Sequence, residues 1–132
     1  MSFWLVNHSW ESFRATREYC GFISEDERNK IKVDDKIVYY GQGLVFGIFE
    51  AVALVENEFN GWQKKYPFQV KLKPLLISNN PTKQGIVAKA LQGKLYLTKA
   101  GGRSSNQVEL NEYEFNKIKQ AISEGKKAIV FD

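Results

Sequence analysis

The chain opens on Phe3-Trp4-Leu5-Val6, a continuous apolar run of residues that favour a pleated surface, and this predicts a buried first strand ending near Asn7. Ser9 can cap a helix behind it; Trp10 and Phe13 share one face of that helix, and Gly21 lets it end. Ser24 with Glu27 three residues later repeats the capping pattern and predicts a second short helical turn. Asp34-Asp35 marks a turn. Beyond it, Lys36 to Tyr40 and Leu44 to Val52 read as two strands joined by the tight turn Gly41-Gln42-Gly43. Gly47 inside the second strand predicts a bulge or a close backbone approach, as occurs where a small sheet curls.

Residues Glu56 to Lys65 are polar apart from Phe59 and Trp62, so they form a loop carrying two aromatic rings. From Phe68 the pattern alternates with period two, which assigns Phe68, Val70 and Leu72 to a core face and Gln69, Lys71 and Lys73 to a solvent face. Ser78-Asn79-Asn80-Pro81 is turn chemistry, Ile86 to Leu91 predicts a short helix, Lys94 to Thr98 a further strand, and Ala100 to Asn106 a loop. Asn111 with Glu114 signals a last helix whose Phe115, Ile118 and Ile122 line one face and which Gly125 closes. Ala128 to Asp132 frays or adds an edge strand. About six strands with helices at the ends, rather than strict β-α alternation, predict an α+β domain on a curled, mainly antiparallel sheet. No repeat or linker divides it, so residues 1–127 read as one domain and 128–132 as a tail.

Composition narrows the class. The 132 residues are 43 % hydrophobic and 26 % charged, enough apolar material for a core. A single cysteine, Cys20, excludes an internal disulfide framework, and a single histidine, His8, excludes a Cys/His zinc cluster. No apolar run approaches the roughly 20 residues that cross a bilayer, and Met-Ser-Phe-Trp lacks the features of a signal peptide. The expected setting is therefore soluble and cytoplasmic.

The net charge of +4 hides a segregation. From Phe59 to Val108 there is no Asp or Glu, while Lys64, Lys65, Lys71, Lys73, Lys83, Lys89, Lys94, Lys99 and Arg103 all lie there. The remainder carries ten basic against fifteen acidic residues. Such a division builds a positive face that attracts a polyanion such as nucleic acid, or it serves solubility alone.

Catalysis finds little support. His8 is beside Ser9, but a nucleophilic triad needs a third group to orient the base, and adjacent side chains on a strand point to opposite faces. Arg17 lies near Cys20 in sequence, yet a lone cysteine in a small domain is more often a packed thiol than a nucleophile. Gly41-Gln42-Gly43 lacks the third glycine and the helix of a nucleotide fingerprint. The chain is expected not to be an enzyme and to use neither metal nor cofactor. Trp62, followed by Lys64 and Lys65, is either a lid on the core or a stacking platform for a base.

The opening Phe3-Trp4-Leu5-Val6-Asn7-His8-Ser9, the Gly21-Phe22 step, Arg28-Asn29, Ile31 to Tyr40, and Val45-Phe46-Gly47-Ile48-Phe49-Glu50-Ala51-Val52 together resemble an EVE domain. The likeness continues through Trp62 and Tyr66-Pro67-Phe68-Gln69-Val70 and ends with Leu110 to Glu114 opening the last helix. That family belongs to the PUA-like group and is similar to the YTH readers of methylated RNA. The resemblance implies a PUA-like curled β-barrel of about six strands flanked by short helices and a C-terminal helix. It also implies a pocket that takes a modified, methylated base out of DNA or RNA, because stacking and polar contacts can offset the few kcal/mol that extrusion costs. By that resemblance the pocket residues are Asn7, His8, Ser9, Cys20, Gly21, Phe22, Asn29 and Trp62; the acid-free stretch from Phe59 to Val108 adds Lys64, Lys65 and Arg103 as phosphate contacts on a positive face beside the pocket mouth. Where the YTH relatives place a Trp around Cys20 to Phe22, only Phe22 is aromatic here. Two alternatives stand beside this one: an RNA-binding module without modified-base recognition, and a protein-interaction or small-ligand domain.

Overall fold

The computed structural model describes residues 1–8, 10–41, 44–78, 86–87 and 107–125. The chain runs β1 (Phe3–Asn7), α1 (Trp10–Ala15), β2 (Tyr19–Phe22), α2 (Glu25–Asn29), β3 (Lys36–Gly41), β4 (Leu44–Glu56), β5 (Phe68–Ile77), β6 (Ile86–Val87), β7 (Gln107–Leu110) and α3 (Glu112–Ser123). One sheet joins the strands in the order β2-β5-β4-β3-β1-β7, with the two-residue β6 beside the start of β4. Only the β1–β3 pair within that sheet is parallel among the described residues; the others are antiparallel. This is the expected α+β architecture.

Alternation across the strands explains why their sequences read as unbroken apolar runs. Leu5, Val38 and Ile48 face α3 and pack with Phe115, Ile118 and Ile122, while Phe3 stacks on Phe115 at 4.3 Å. The opposite face holds Trp4, Val6, Ile37, Tyr39, Phe46, Phe49 and Val70, joined by Phe13 of α1 and Ile31 after α2. Each fully buried ring such as Phe46 or Phe49 contributes about 1.5–3 kcal/mol.

Local signals end the elements. Ser24 Oγ accepts from the Glu27 amide at 3.4 Å to start α2. Asn111 and Glu114 form a reciprocal capping box at the start of α3, at 2.8 and 3.0 Å. Gly125, with φ of +66°, follows that helix in the left-handed region glycine favours. Gly47 shows both features its position predicts: pairing shifts register between Tyr39 and Tyr40, and an added Cβ would lie 2.9 Å from the Leu76 carbonyl oxygen. Asp35 is buried and accepts from the Ser2 amide (2.9 Å), the Lys32 amide (2.9 Å) and the Trp4 indole (3.0 Å), tying β1 to the turn before β3.

Several expectations change. The first helix does not run to Gly21; it ends at Ala15, the Thr16 hydroxyl accepts from the Glu18 amide at 3.1 Å, and the chain turns into β2, which pairs with β5. Ile86 and Val87 are strand rather than helix, because they continue the edge of β4 that β5 leaves at Gly47. Gln107–Leu110, unread in the sequence, is the strand that covers β1. Gln69 does not face solvent; it is fully buried. The strand at Lys94 to Thr98, the loop at Ala100 to Asn106 and the tail from Ala128 lie outside the described residues.

Candidate functional site

The long connection from β4 to β5 carries the aromatic loop, and Gln69 builds it. Its Oε1 accepts from the amides of Glu58 (3.1 Å) and Phe59 (3.0 Å), and its Nε2 donates to the carbonyls of Phe59 (2.6 Å) and Tyr66 (2.9 Å). One carboxamide thereby clamps both ends of residues 59–66. The Asn57 amide donates to the Pro67 carbonyl at 2.9 Å and closes the base of the loop, with Asn57 in the left-handed region at φ of 54°. At its centre the Trp62 indole N–H donates to the Ser12 carbonyl of α1 at 3.2 Å.

Four rings then gather around the end of β1. His8 lies 5.5 Å from Trp62 with rings inclined at 26°, 5.0 Å from Tyr66 edge-on, and 5.5 Å from Tyr39. Trp62 also meets Phe59 at 4.8 Å and Tyr66 at 5.6 Å, both nearly perpendicular. Gly21 permits this packing: a Cβ there would sit 2.5 Å from the Tyr66 Cβ and 2.8 Å from the Trp62 ring. His8 Nε2 stands 3.0 Å from both the amide nitrogen and the carbonyl oxygen of Gly21, so one ring nitrogen fixes β1 to β2. Burial drives the imidazole pKa down to about 4, opposed in part by its bond to Gly21, and the ring is neutral at neutral pH. Behind it, the buried Tyr39 hydroxyl finds no hydrogen-bond partner among the described residues.

Two clefts open beside this cluster. One, of about 290 Å³, lies between α1 and the loop, with Glu11, Ser12 and Ala15 facing Trp62 and Tyr66. The other, of about 300 Å³, lies between that segment and Phe59-Asn60, with Lys65 at its border. Trp62, Gln63, Lys64 and Tyr66 line both. Lys64 and Lys65 are exposed, and the Lys64 ammonium stands 5.9 Å from the centre of the Tyr66 ring. Aromatic residues and lysine side chains together in both linings, with the Glu11 carboxylate on the α1 side, suit a planar group joined to an anionic one.

The residues expected in a pocket separate into two groups. His8, Gly21 and Trp62 come together, and Lys64 and Lys65 border the clefts. Asn7 closes β1 opposite Tyr40. Cys20 and Phe22 point instead into the core and are fully buried, with burial pushing the Cys20 thiol well up. Asn29 sits on α2, where its Oδ1 accepts from Arg28 Nε at 2.8 Å, and lines neither cleft. Ser9 and Arg103 lie outside the described residues. Trp62 is only 8 % exposed, so it both lids the core and walls the clefts. Sequence reasoning passed over Tyr66, Gln69 and the α1 residues Glu11 and Ser12 as site elements; Tyr66, an aromatic residue directly after Lys64 and Lys65, was the one signal available.

No family model matches the chain, and no curated protein matches it in sequence. Its fold does match solved structures. The YTH domain of Mmi1, solved in complex with RNA, superposes with a TM-score of 0.63 at 11 % identity, over 93 % of this chain and 78 % of that one. Protein Atu2648 from Agrobacterium tumefaciens gives 0.53 at 17 % identity over 91 % and 92 %. Rpa0253 from Rhodopseudomonas palustris gives 0.54 at 14 % over 93 % and 94 %. These likenesses establish a YTH/PUA-like α+β fold.

Proposed function

We propose that this domain is a nucleic-acid-binding module of the EVE type, working on RNA in the first instance, that reads a modified base at the aromatic clefts beside Trp62. The observation that carries the reading is the arrangement of Trp62, Tyr66 and Lys64 around two open clefts, in a fold shared with a domain solved with RNA. The ring walls supply stacking worth roughly 1–3 kcal/mol per base, and Lys64 with Lys65 supplies the phosphate contacts that position a strand without reading its sequence. The proposed action is binding without turnover, in the cytoplasm. The absence of turnover is supported by His8, buried, neutral and tied to Gly21, and by the Cys20 thiol, sealed in the core.

A second reading, RNA binding with no preference for a modified base, is favoured by one feature: the His8 imidazole already stacks on the Trp62 ring, which is only 8 % exposed. A titration of methylated and unmodified RNA and DNA oligonucleotides at several salt concentrations separates the readings. Tighter binding of one modified strand supports the first, equal binding of modified and plain RNA supports the second, and salt-insensitive or absent binding defeats both.

A further inference from the structure

We infer that the Trp62–Tyr66 segment is a ridge between two base subsites, so that the minimal ligand is a dinucleotide step, one base in each cleft and the joining phosphate at Lys64. The inference rests on the nucleic-acid reading above and deepens it. Three observations lead there. The clefts have nearly equal volumes, about 290 and 300 Å³, each at the low end of the range for small-molecule sites and each with room for a base. They share Trp62, Gln63, Lys64 and Tyr66 but differ in their outer walls, α1 on one side and Phe59-Asn60 on the other, which makes the shared segment a partition. Lys64, exposed on that partition, is the lysine common to both clefts, whereas Lys65 borders one of them.

The chemistry follows from those positions. A single strand crossing the ridge presents one base to each side and carries its phosphodiester over the crest, within reach of the Lys64 ammonium. Gln69 and the Trp62 bond to Ser12 hold the ridge in place before binding, so its ordering costs little at the moment of contact. The two seats are unlike: the α1 side offers the Glu11 carboxylate, which can only accept hydrogen bonds, and the other offers the Asn60 carboxamide, which can also donate. Strand polarity across the ridge is thereby fixed for any step whose two bases differ.

The test compares adenosine 5′-(methyl phosphate), a mononucleotide with the single phosphodiester charge of ApA, with the dinucleoside monophosphate ApA and a ten-residue oligoadenylate, because every base has a stacking face. ApA should bind about five- to 150-fold tighter than the mononucleotide, the gain from one more stacked base. Ala15→Phe fills the α1-side cleft alone and Asn60→Phe the other; both residues are exposed, and melting curves verify that the variants fold. Each should bring ApA down to the affinity of the mononucleotide. Lys64→Gln should weaken ApA and lower its salt slope by about 0.7, the share of one single-strand phosphate. If the oligoadenylate binds but ApA is no tighter than the mononucleotide, or if the advantage survives both cleft-filling substitutions, the ridge inference falls and nucleic-acid binding stands. Failure of all three ligands to bind overturns the ridge inference, and the titration of modified and plain oligonucleotides above then decides the nucleic-acid reading.

Discussion

His8 makes the stability of this domain depend on pH in a window where few other groups act. The unfolded ring protonates near 6.5, whereas burial holds the folded ring at about 4. A lowered folded pKa means that, between those values, the unfolded chain binds a proton the folded chain refuses. The contribution is therefore fully present above pH 6.5, declines by up to about 1.4 kcal/mol per unit as pH falls, and is lost by about pH 4. A difference of about 2.5 units corresponds to about 3 kcal/mol, a large fraction of the ~5–15 kcal/mol that holds a domain of this kind together. The Asp35 carboxylate works in a lower window. Burial alone would raise its pKa, but the amides of Ser2 and Lys32 and the Trp4 indole hold it below 3.8, so its contribution begins to fall only as pH approaches the carboxylate range.

Urea melts at half-unit steps from pH 7.5 to 3, on the native chain and on His8→Gln, measure the effect directly. Because His8 is the one histidine in the chain, an NMR titration of its ring proton reads the same quantity without assignment ambiguity. The variant should lose the slope between pH 6.5 and 4 while sharing the fall at lower pH. Parallel stability curves for the two proteins, or a ring titration at 6 or above, would refute the account of His8 as a buried neutral bridge between β1 and β2.

Gly21→Ala inserts a methyl group where Tyr66 Cβ and the Trp62 ring leave no room, and it should cost about 1–3 kcal/mol in thermal or urea melts and weaken oligonucleotide binding with it. Gln69→Leu leaves the amides of Glu58 and Phe59 unpaired, which should cost about 1–3 kcal/mol and raise amide hydrogen exchange across residues 58–66 more than in β1 or β3. Trp62→Ala should lower stability by about 3–5 kcal/mol, as an 8 %-exposed ring demands, and should also lower affinity per folded molecule; a loss in only one of the two assays would assign the ring to one role. Asp35→Ala removes the acceptor shared by Ser2, Trp4 and Lys32 and should cost about 1–3 kcal/mol in melts at pH 7.

What was legible in the sequence follows from how each feature is encoded. The strands β1, β3 and β4 show as apolar runs because both faces of the sheet are buried, and α2 and α3 begin where Ser24 and Asn111 carry cap chemistry that acts within three residues. Features set by distant partners were hidden. Residues 19–22 become a strand because β5 offers an edge, and residues 107–110 because β1 does, neither of which is written in their own pattern. Gly21 looked like a helix stop, yet its missing side chain serves Trp62 and Tyr66, more than forty residues away. Gln69 fits the polar half of an alternating strand and carries no local mark of its four bonds to the loop. The aromatic loop itself was visible as rings in a polar stretch, and the sequence left Trp62 open between lid and platform. The structure buries the ring as a lid, 8 % exposed, and places it in the lining of both clefts. The indole is held by Ser12 on one edge and packed on His8, Phe59 and Tyr66, and the same rigid seating that makes it a lid is what lets its neighbourhood present two preformed clefts. A cleft wall free to swing would lose in ordering what it gains in contact, so under the proposed reading the fixed seating of Trp62 lowers the cost of presenting the two clefts.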